Sequence, residues 1–235
     1  MAYLYEYIRT RGHEPLYFEE HYIYLEAGAL KHFREPLNIS REKLLQAIRE
    51  VLRKGAFSPT VMNVVEVRYF NDGTFEVEAK EILYNKFSLR ALHPRSYLCR
   101  VSGDILLDNT SAKAALIELN RAAAQTTERS VAIWADEQDE VLAIDGLPVI
   151  AVFEDEVRFS RKGDGVEFEL AYNTVVKMGR NATRGAIYLS EMSKVKELLY
   201  IGHEGLSAVY RYGPTLFMDI SAEKIATKIA EAESI

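Results

Sequence analysis

SAKAALIELNRAAAQTTERSVAIWADEQDEVLAIDGLPVIAVFEDEVRFS, residues 111–160, holds one helical pattern followed by four short apolar runs, and its reading decides the fold. Leu116, Leu119 and Ala123 recur at three- and four-residue steps, which is one face of a helix over 111–126. The runs RSVAIWAD, EVLAID, PVIAVFED and EVRFS are then separated by acidic or glycine-containing turns such as DEQDE. Strands at this spacing predict a barrel-like or strongly curved sheet. Further on, TRGAIYLSEMSKVKELL reads as helical and LLYIG and SAVYRY as strands. SAEKIATKIAEAES reads as a closing helix with Ser221 as its N-cap.

Upstream of this stretch the pattern differs. In YLYEYIRTR, Tyr3, Tyr5 and Tyr7 alternate with Leu4, Glu6 and Ile8, the period of a strand. Gly12 and Pro15 mark a turn, with LYF as a second short strand. From Glu19 the period lengthens, because Tyr22, Leu25, Ala29 and Phe33 share one helical face. REKLLQAIREVLRK predicts a second helix between Ser40 as N-cap and Gly55 as stop. Asn71-Asp72-Gly73 between VMNVVEVRYF and TFEVEAKEI predicts a hairpin whose two turn residues take positive φ. KFSLRALHPRSY, with Pro94, reads as the crossing between two domains. The expectation is therefore a two-domain α/β (α+β) protein: a small domain over 1–90 and a larger domain with a curved sheet over 91–235.

Composition narrows the function classes. The 235 residues are 48% hydrophobic and 27% charged, enough apolar material for a sizeable core. Lys plus Arg number 29 against 35 Asp plus Glu, a formal charge of −6 that opposes nucleic-acid binding. Cys99 is the single cysteine, so an internal disulfide and a cysteine metal cluster are excluded. No apolar run reaches the roughly 18 residues of a membrane span. MAYLYEYIRTRGHEP lacks the basic-then-apolar order of a signal peptide, and a cytoplasmic location is the default expectation. The five histidines form no HxxxH or HxH pair, and no GxSxG elbow, P-loop or Rossmann glycine word occurs.

Taken in order, YEYIRTRGHEPLYFEEHYIYLEAGALKHF, the 111–160 stretch, NATRGAIYL and LLYIGHEGLSAV resemble the class IV aminotransferases. This is the fold-type IV group of pyridoxal-phosphate (PLP) enzymes, which includes branched-chain and D-amino-acid aminotransferases and aminodeoxychorismate lyase. The resemblance implies PLP as cofactor, an amino acid or keto acid as substrate, and a homodimer. It also implies three groups: a Schiff-base lysine, a carboxylate opposite the pyridine nitrogen, and a phosphate clamp.

Each of the three is altered in this chain. The family register puts the lysine near Asn109 or Thr110, neither of which forms an aldimine. Lys113 lies about one turn further on, roughly 5 Å along the helix. It is either a displaced Schiff-base lysine or a solvated helix lysine. The family glutamate falls at Ala143 or Ile144, and Asp145 is either a displaced substitute or part of an Asp145-Gly146 turn. Where the family has an arginine after His21, this chain has Tyr24, an uncharged donor or a core aromatic, with Arg9 and Arg11 on the neighbouring strand. Asn181, Ala182 and Thr183 match a family word at which a helix start offers amides and a hydroxyl to phosphate. Gly202 and His203 stand where the family has a second phosphate loop. Three readings follow: a degenerate member that keeps an anion- or ligand-binding cleft, an active aminotransferase or lyase using Lys113, and a subunit-interaction protein.

Overall fold

A computed structural model of the chain describes residues 1–55, 62–81, 87, 89–93, 95–103, 108–123 and 130–233. The chain divides into two compact units, Met1–Lys86 with Asp108–Ala114, and Phe87–Leu107 with Ala115–Ile235. The expected ends of the hairpin strands and of the 111–126 helix, and residues 86, 88 and 94 of the crossing segment, lie outside the described residues.

The first unit contains β1 (Tyr3–Arg11), β2 (Glu14–Pro15), α1 (Phe18–Phe33), α2 (Arg41–Lys54), β3 (Met62–Phe70) and β4 (Phe75–Glu81). They form an antiparallel sheet of order β2-β1-β3-β4, with Tyr3 opposite Phe70 and Arg11 opposite Met62. Alternation sets its inner face. Leu4, Ile8, Val65, Val67 and Tyr69 pack with Tyr22, Leu25 and Ala29 of α1 and Leu44, Ile48 and Leu52 of α2. Each fully buried aliphatic side chain of this kind contributes roughly 1.5–3 kcal/mol before conformational entropy is subtracted. Ser40 Oγ accepts from Lys43 N at 3.2 Å, and Gly55 N donates to Val51 O, so both ends of α2 are where the sequence placed them. The strand expected at 16–18 does not form. Tyr17 takes φ 52° and Phe18 already opens α1, which leaves β2 as the two residues before it.

The β3–β4 turn also differs in type. Gly73 N donates to Phe70 O and Phe70 N to Thr74 O, while only Gly73 has positive φ. This is a three-residue loop with a left-handed glycine, and Asp72 instead accepts from Thr74 N and Oγ1.

The second unit begins with β5 (Leu89–His93) and β6 (Arg95–Arg100). Helix α3 (Ser111–Ala123) gives its first turn to the first unit and its remainder to the second. Strands β7 (Ser130–Ala135), β8 (Val141–Ile144), β9 (Val149–Val152) and β10 (Val157–Ser160) follow, then α4 (Val166–Lys177) and β11 (Ala182–Gly185). A 3-10 helix at Leu189–Lys194 precedes β12 (Glu197–Gly202), β13 (Gly205–Val209), β14 (Arg211–Tyr212), β15 (Thr215–Leu216) and α5 (Ile220–Glu233). One sheet has the order β11-β10-β9-β12-β13-β5 and another the order β6-β7-β8, with β8 turning into β9. The segment read as a domain crossing thus contributes β5, an edge strand parallel to β13.

Both faces of the central strands β9 and β12 are covered, so these two read as near-continuous apolar runs. Ile150, Val152, Leu199 and Ile201 face α4 and α5 with Phe159, Phe168, Ala171 and Ile225. Val149, Ala151, Leu198 and Tyr200 face the three-stranded sheet through Val131, Ile133, Val141 and Ile144. The helix expected over 183–199 is instead β11, the 3-10 helix and the start of β12. Parallel pairing of Ala182–Gly185 with Val157–Ser160 and complete burial of Ile187 outweigh the local helical pattern there. Helix α4 has no counterpart in the sequence reading, although Phe168, Ala171 and Val175 are spaced for one buried face.

The β10–α4 turn depends on Gly163. A Cβ there would lie 2.6 Å from Cζ of Phe168, a buried ring packed edge-on against Phe159 at 5.2 Å. Gly163→Ala should destabilise the fold by about 1–3 kcal/mol in denaturant unfolding, and an unchanged midpoint would show that the ring can move aside.

Candidate functional site

Lys113 is the sequence-derived candidate that the fold treats most distinctively. Thr110 caps α3, its Oγ1 accepting from Lys113 N at 3.2 Å and its carbonyl from Ala114 N. Residues 109–111 run beside the start of β1: Tyr5 N donates to Asn109 O at 2.9 Å, Leu4 bridges Thr110, and Tyr3 N donates to Ser111 Oγ. The Lys113 side chain, 6% exposed, is therefore not a solvated helix lysine. Its amine donates to Asn109 Oδ1 at 3.0 Å. Burial pushes the ammonium pKa down to about 8, against the pull of the Glu6 and Asp108 carboxylates.

A polar chain continues from this amine. Asn109 Nδ2 donates to Glu6 Oε1 at 3.2 Å, and Glu6 Oε2 lies 2.9 Å from Nδ1 of the buried His21. Beside it, Asp108 accepts from Lys31 Nζ at 2.7 Å and pairs with His32 Nε2 at 3.0 Å. Burial alone would raise the Asp108 pKa, but these partners hold its carboxyl below the usual range. Glu6 was not singled out in the sequence, and Asn109 was named only as a position in the register of the family lysine. The available signal was parity, since Glu6 is a carboxylate in the inward row between Leu4 and Ile8. Tyr24 is half-buried on α1, Arg9 is buried and Arg11 exposed.

The second-unit candidates sit in quite different chemistry. Ala143 and Ile144 are fully buried among apolar side chains. Asp145 and Gly146 form a tight turn with φ 47° and 76°, and Asp145 Oδ1 accepts from Ala132 N at 2.8 Å. The helix start expected at Asn181, Ala182 and Thr183 is a strand, so no cluster of helix N-terminal amides exists there. Thr183 Oγ1 donates to Glu156 Oε2 at 2.5 Å. That hydroxyl, and secondarily Arg158, hold the Glu156 carboxyl below its usual range, while Arg158 also pairs with Glu191 at 3.0 Å. Gly202 pairs with Gly205, leaving His203 and Glu204 as the two-residue tip of the β12–β13 hairpin. A helix N-terminus does meet an anion elsewhere, where the buried Glu197 accepts from Ser221 N and Ala222 N. Ser221 therefore lies inside α5 and does not cap it. Cys99 donates to Asn120 Oδ1 at 3.4 Å, and burial pushes its thiol pKa up, away from nucleophilic chemistry. Among the described residues no group of His, Cys, Asp and Glu is arranged to hold a metal ion, and no helix is long and apolar enough to cross a membrane.

This arrangement of sheets and helices is the fold of the class IV aminotransferases, the PLP fold-type IV architecture. A candidate branched-chain amino acid aminotransferase from Thermotoga maritima superposes with a TM-score of 0.77 at 16% identity, over 99% of this chain and 85% of that one. A hypothetical aminotransferase from Mycobacterium tuberculosis, bound to α-ketoglutarate and PMP, gives 0.74 at 12% identity, over 98% and 89%. A candidate 4-amino-4-deoxychorismate lyase from Legionella pneumophila gives 0.76 at 11% identity, over 99% and 90%. No family model matches the sequence, and no curated protein matches it.

Burial of Lys113 has a measurable consequence. Its pKa falls from 10.5 to about 8 on folding. Between these values the unfolded chain binds more protons, so this residue's contribution makes stability rise with pH across that window. In denaturant unfolding from about pH 7.5 to about pH 10, the native protein should gain stability relative to Lys113→Met. A flat difference would contradict the burial.

Proposed function

We propose that this chain is a divergent class IV aminotransferase-like protein that keeps the fold and has lost Schiff-base PLP catalysis. The observation that carries this reading is the site of the pyridine-nitrogen carboxylate. The family register puts it at Ala143 or Ile144, both apolar and buried, and the adjacent Asp145 carboxylate accepts from Ala132 N within its own turn. Two further facts agree. The Thr183 hydroxyl, which the family resemblance would put on the phosphate, donates to Glu156, so a phosphate there would meet a carboxylate. The family register of the lysine falls at Asn109 or Thr110, and Thr110 acts as a helix cap. These residues do not fit PLP, and no chemical step is derived through it. Tyr24, Gly202 and His203 remain proposals for a retained ligand-binding role, with a small anion or an amino or keto acid as the ligand class.

A second reading, an active aminotransferase or aminodeoxychorismate-lyase-like enzyme, is favoured by one fact: Lys113 is buried with a depressed pKa, as an imine-forming lysine requires. Mixing the protein with PLP, recording the visible spectrum and trapping with borohydride separates the two. Absence of colour and of a reduced adduct is the expected outcome. A stoichiometric adduct on Lys113, lost in Lys113→Ala, would overturn the degenerate reading. A cytoplasmic homodimer is proposed from the family resemblance and the composition. Sedimentation of the chain as a monomer at micromolar concentration would rule out the dimer.

A further inference from the structure

Strand β4 ends the four-stranded sheet of the first unit, following β3 in the order β2-β1-β3-β4. Phe70 N donates to Thr74 O, so antiparallel alternation turns the backbone groups of Glu76, Glu78 and Lys80 toward β3. The N–H and C=O groups of Phe75, Val77 and Ala79 point the other way, and among the described residues no strand pairs with them. The side chains divide by face. Phe75, Val77 and Ala79 pack toward the first-unit core, while Glu76, Glu78 and Lys80 stand on the opposite face.

Beside that outer row lies a cavity of about 360 Å³, lined by Glu66, Arg68, Glu76, Val77 and Glu78. Its charges are unbalanced. Arg68, the cross-strand neighbour of Glu76, directs Nε and Nη2 to the buried Glu66 at 3.0 and 2.7 Å, and Lys80 also binds Glu66. Glu78 is left 3.7 Å from Arg68 and 3.8 Å from Lys80. Glu76 has no ion-pair partner among the described residues. The carboxylates of Glu66, Glu76 and Glu78 thus outnumber the cations of Arg68 and Lys80 along an edge whose backbone groups are open to pairing. We propose that β4 takes up an extended segment of a partner protein as an added antiparallel strand, with basic side chains opposite Glu76 and Glu78 and apolar ones between them.

The edge itself selects this occupant. Main-chain hydrogen bonds to Phe75, Val77 and Ala79 give affinity for any extended chain, and charge supplies the choice among chains. A basic side chain opposite Glu76 or Glu78 reaches the cavity, whereas an acidic one meets like charge. The apolar side chains between them fall on the face that Val77 and Ala79 share with the core. A second copy of β4 centred on Val77 sets each Glu76 against a Glu78, which disfavours self-pairing in that register.

The test adds acetyl-Lys-Val-Lys-Val-Lys-amide to the whole chain and follows amide hydrogen exchange by NMR. Exchange at least about tenfold slower at the Phe75, Val77 and Ala79 amides, with Glu76, Glu78 and Lys80 unchanged, supports the added strand. Binding without that alternation overturns it, as does no binding at all. N-methylation of the two valines, whose amides face β4 in an antiparallel pair, should abolish binding, whereas N-methylation of the central lysine should leave it intact. Equal binding by the two N-methylated peptides overturns strand addition. The charge-reversed peptide acetyl-Glu-Val-Glu-Val-Glu-amide should bind at least about tenfold more weakly. Glu76→Lys combined with Glu78→Lys, two exposed positions, should reverse that order. An order that survives the reversal overturns the choice of a basic partner. Protection of the same three amides that grows with protein concentration, without peptide, assigns the edge to a second copy and overturns the peptide.

Discussion

Burial of both faces of β9 and β12 is the constraint on which the second unit depends. Val149 and Ala151 turn to one core while Ile150 and Val152 turn to the other, and Leu198 to Ile201 repeat the division. A strand in this position has no side for a polar residue, so any polar group must sit at its ends. The turns there carry the chemistry-bearing residues: Asp145 between β8 and β9, His203 between β12 and β13, and Glu197 at the first position of β12. Two of these, Asp145 and Glu197, are shaped by what the backbone demands. Asp145 satisfies the Ala132 amide, and Glu197 satisfies two amides at the start of α5.

The first unit solves the opposite problem. Its sheet has one helix-covered face, and Glu6 points into that face among Leu4, Ile8 and Val67. A carboxylate there is tolerated because Asn109 and His21 supply partners from outside β1. Those partners bring Lys113 into the same polar cluster, and burial does the rest by depressing its pKa. Two units of one fold therefore treat ionisable groups differently. The second ties them into turns and ion pairs, such as Thr183–Glu156–Arg158–Glu191, whereas the first assembles a buried chain ending in an amine.

Much of the architecture was legible in local pattern. The period-2 run of Tyr3 to Ile8, the Ser40 to Gly55 helix and the strands within 130–160 formed as read, because their pattern agrees with their burial. The failures have a common cause. Residues 183–199 carry a helical spacing, yet Ala182–Gly185 has a parallel partner in β10 and Glu197–Gly202 is sandwiched between β9 and β13. Pairing with strands distant in sequence outweighs a local preference worth only tenths of a kcal/mol per residue. The same local spacing put Thr183 at a helix start, whereas it lies in β11 with its hydroxyl donating to Glu156.

The sequence by itself determined a two-part α/β chain, a family-like order of elements, and the residue types at each expected catalytic position. Its alternation and turn residues act within a few positions of one another, so they could be read locally. Only the tertiary structure decided that Lys113 is buried and that Glu6, His21 and Asn109 share its surroundings. Residues 6, 21 and 109 stand up to 103 positions apart. Their convergence depends on pairing the 109–111 segment with β1, and a pKa responds to distance and burial in space with no regard for spacing along the chain.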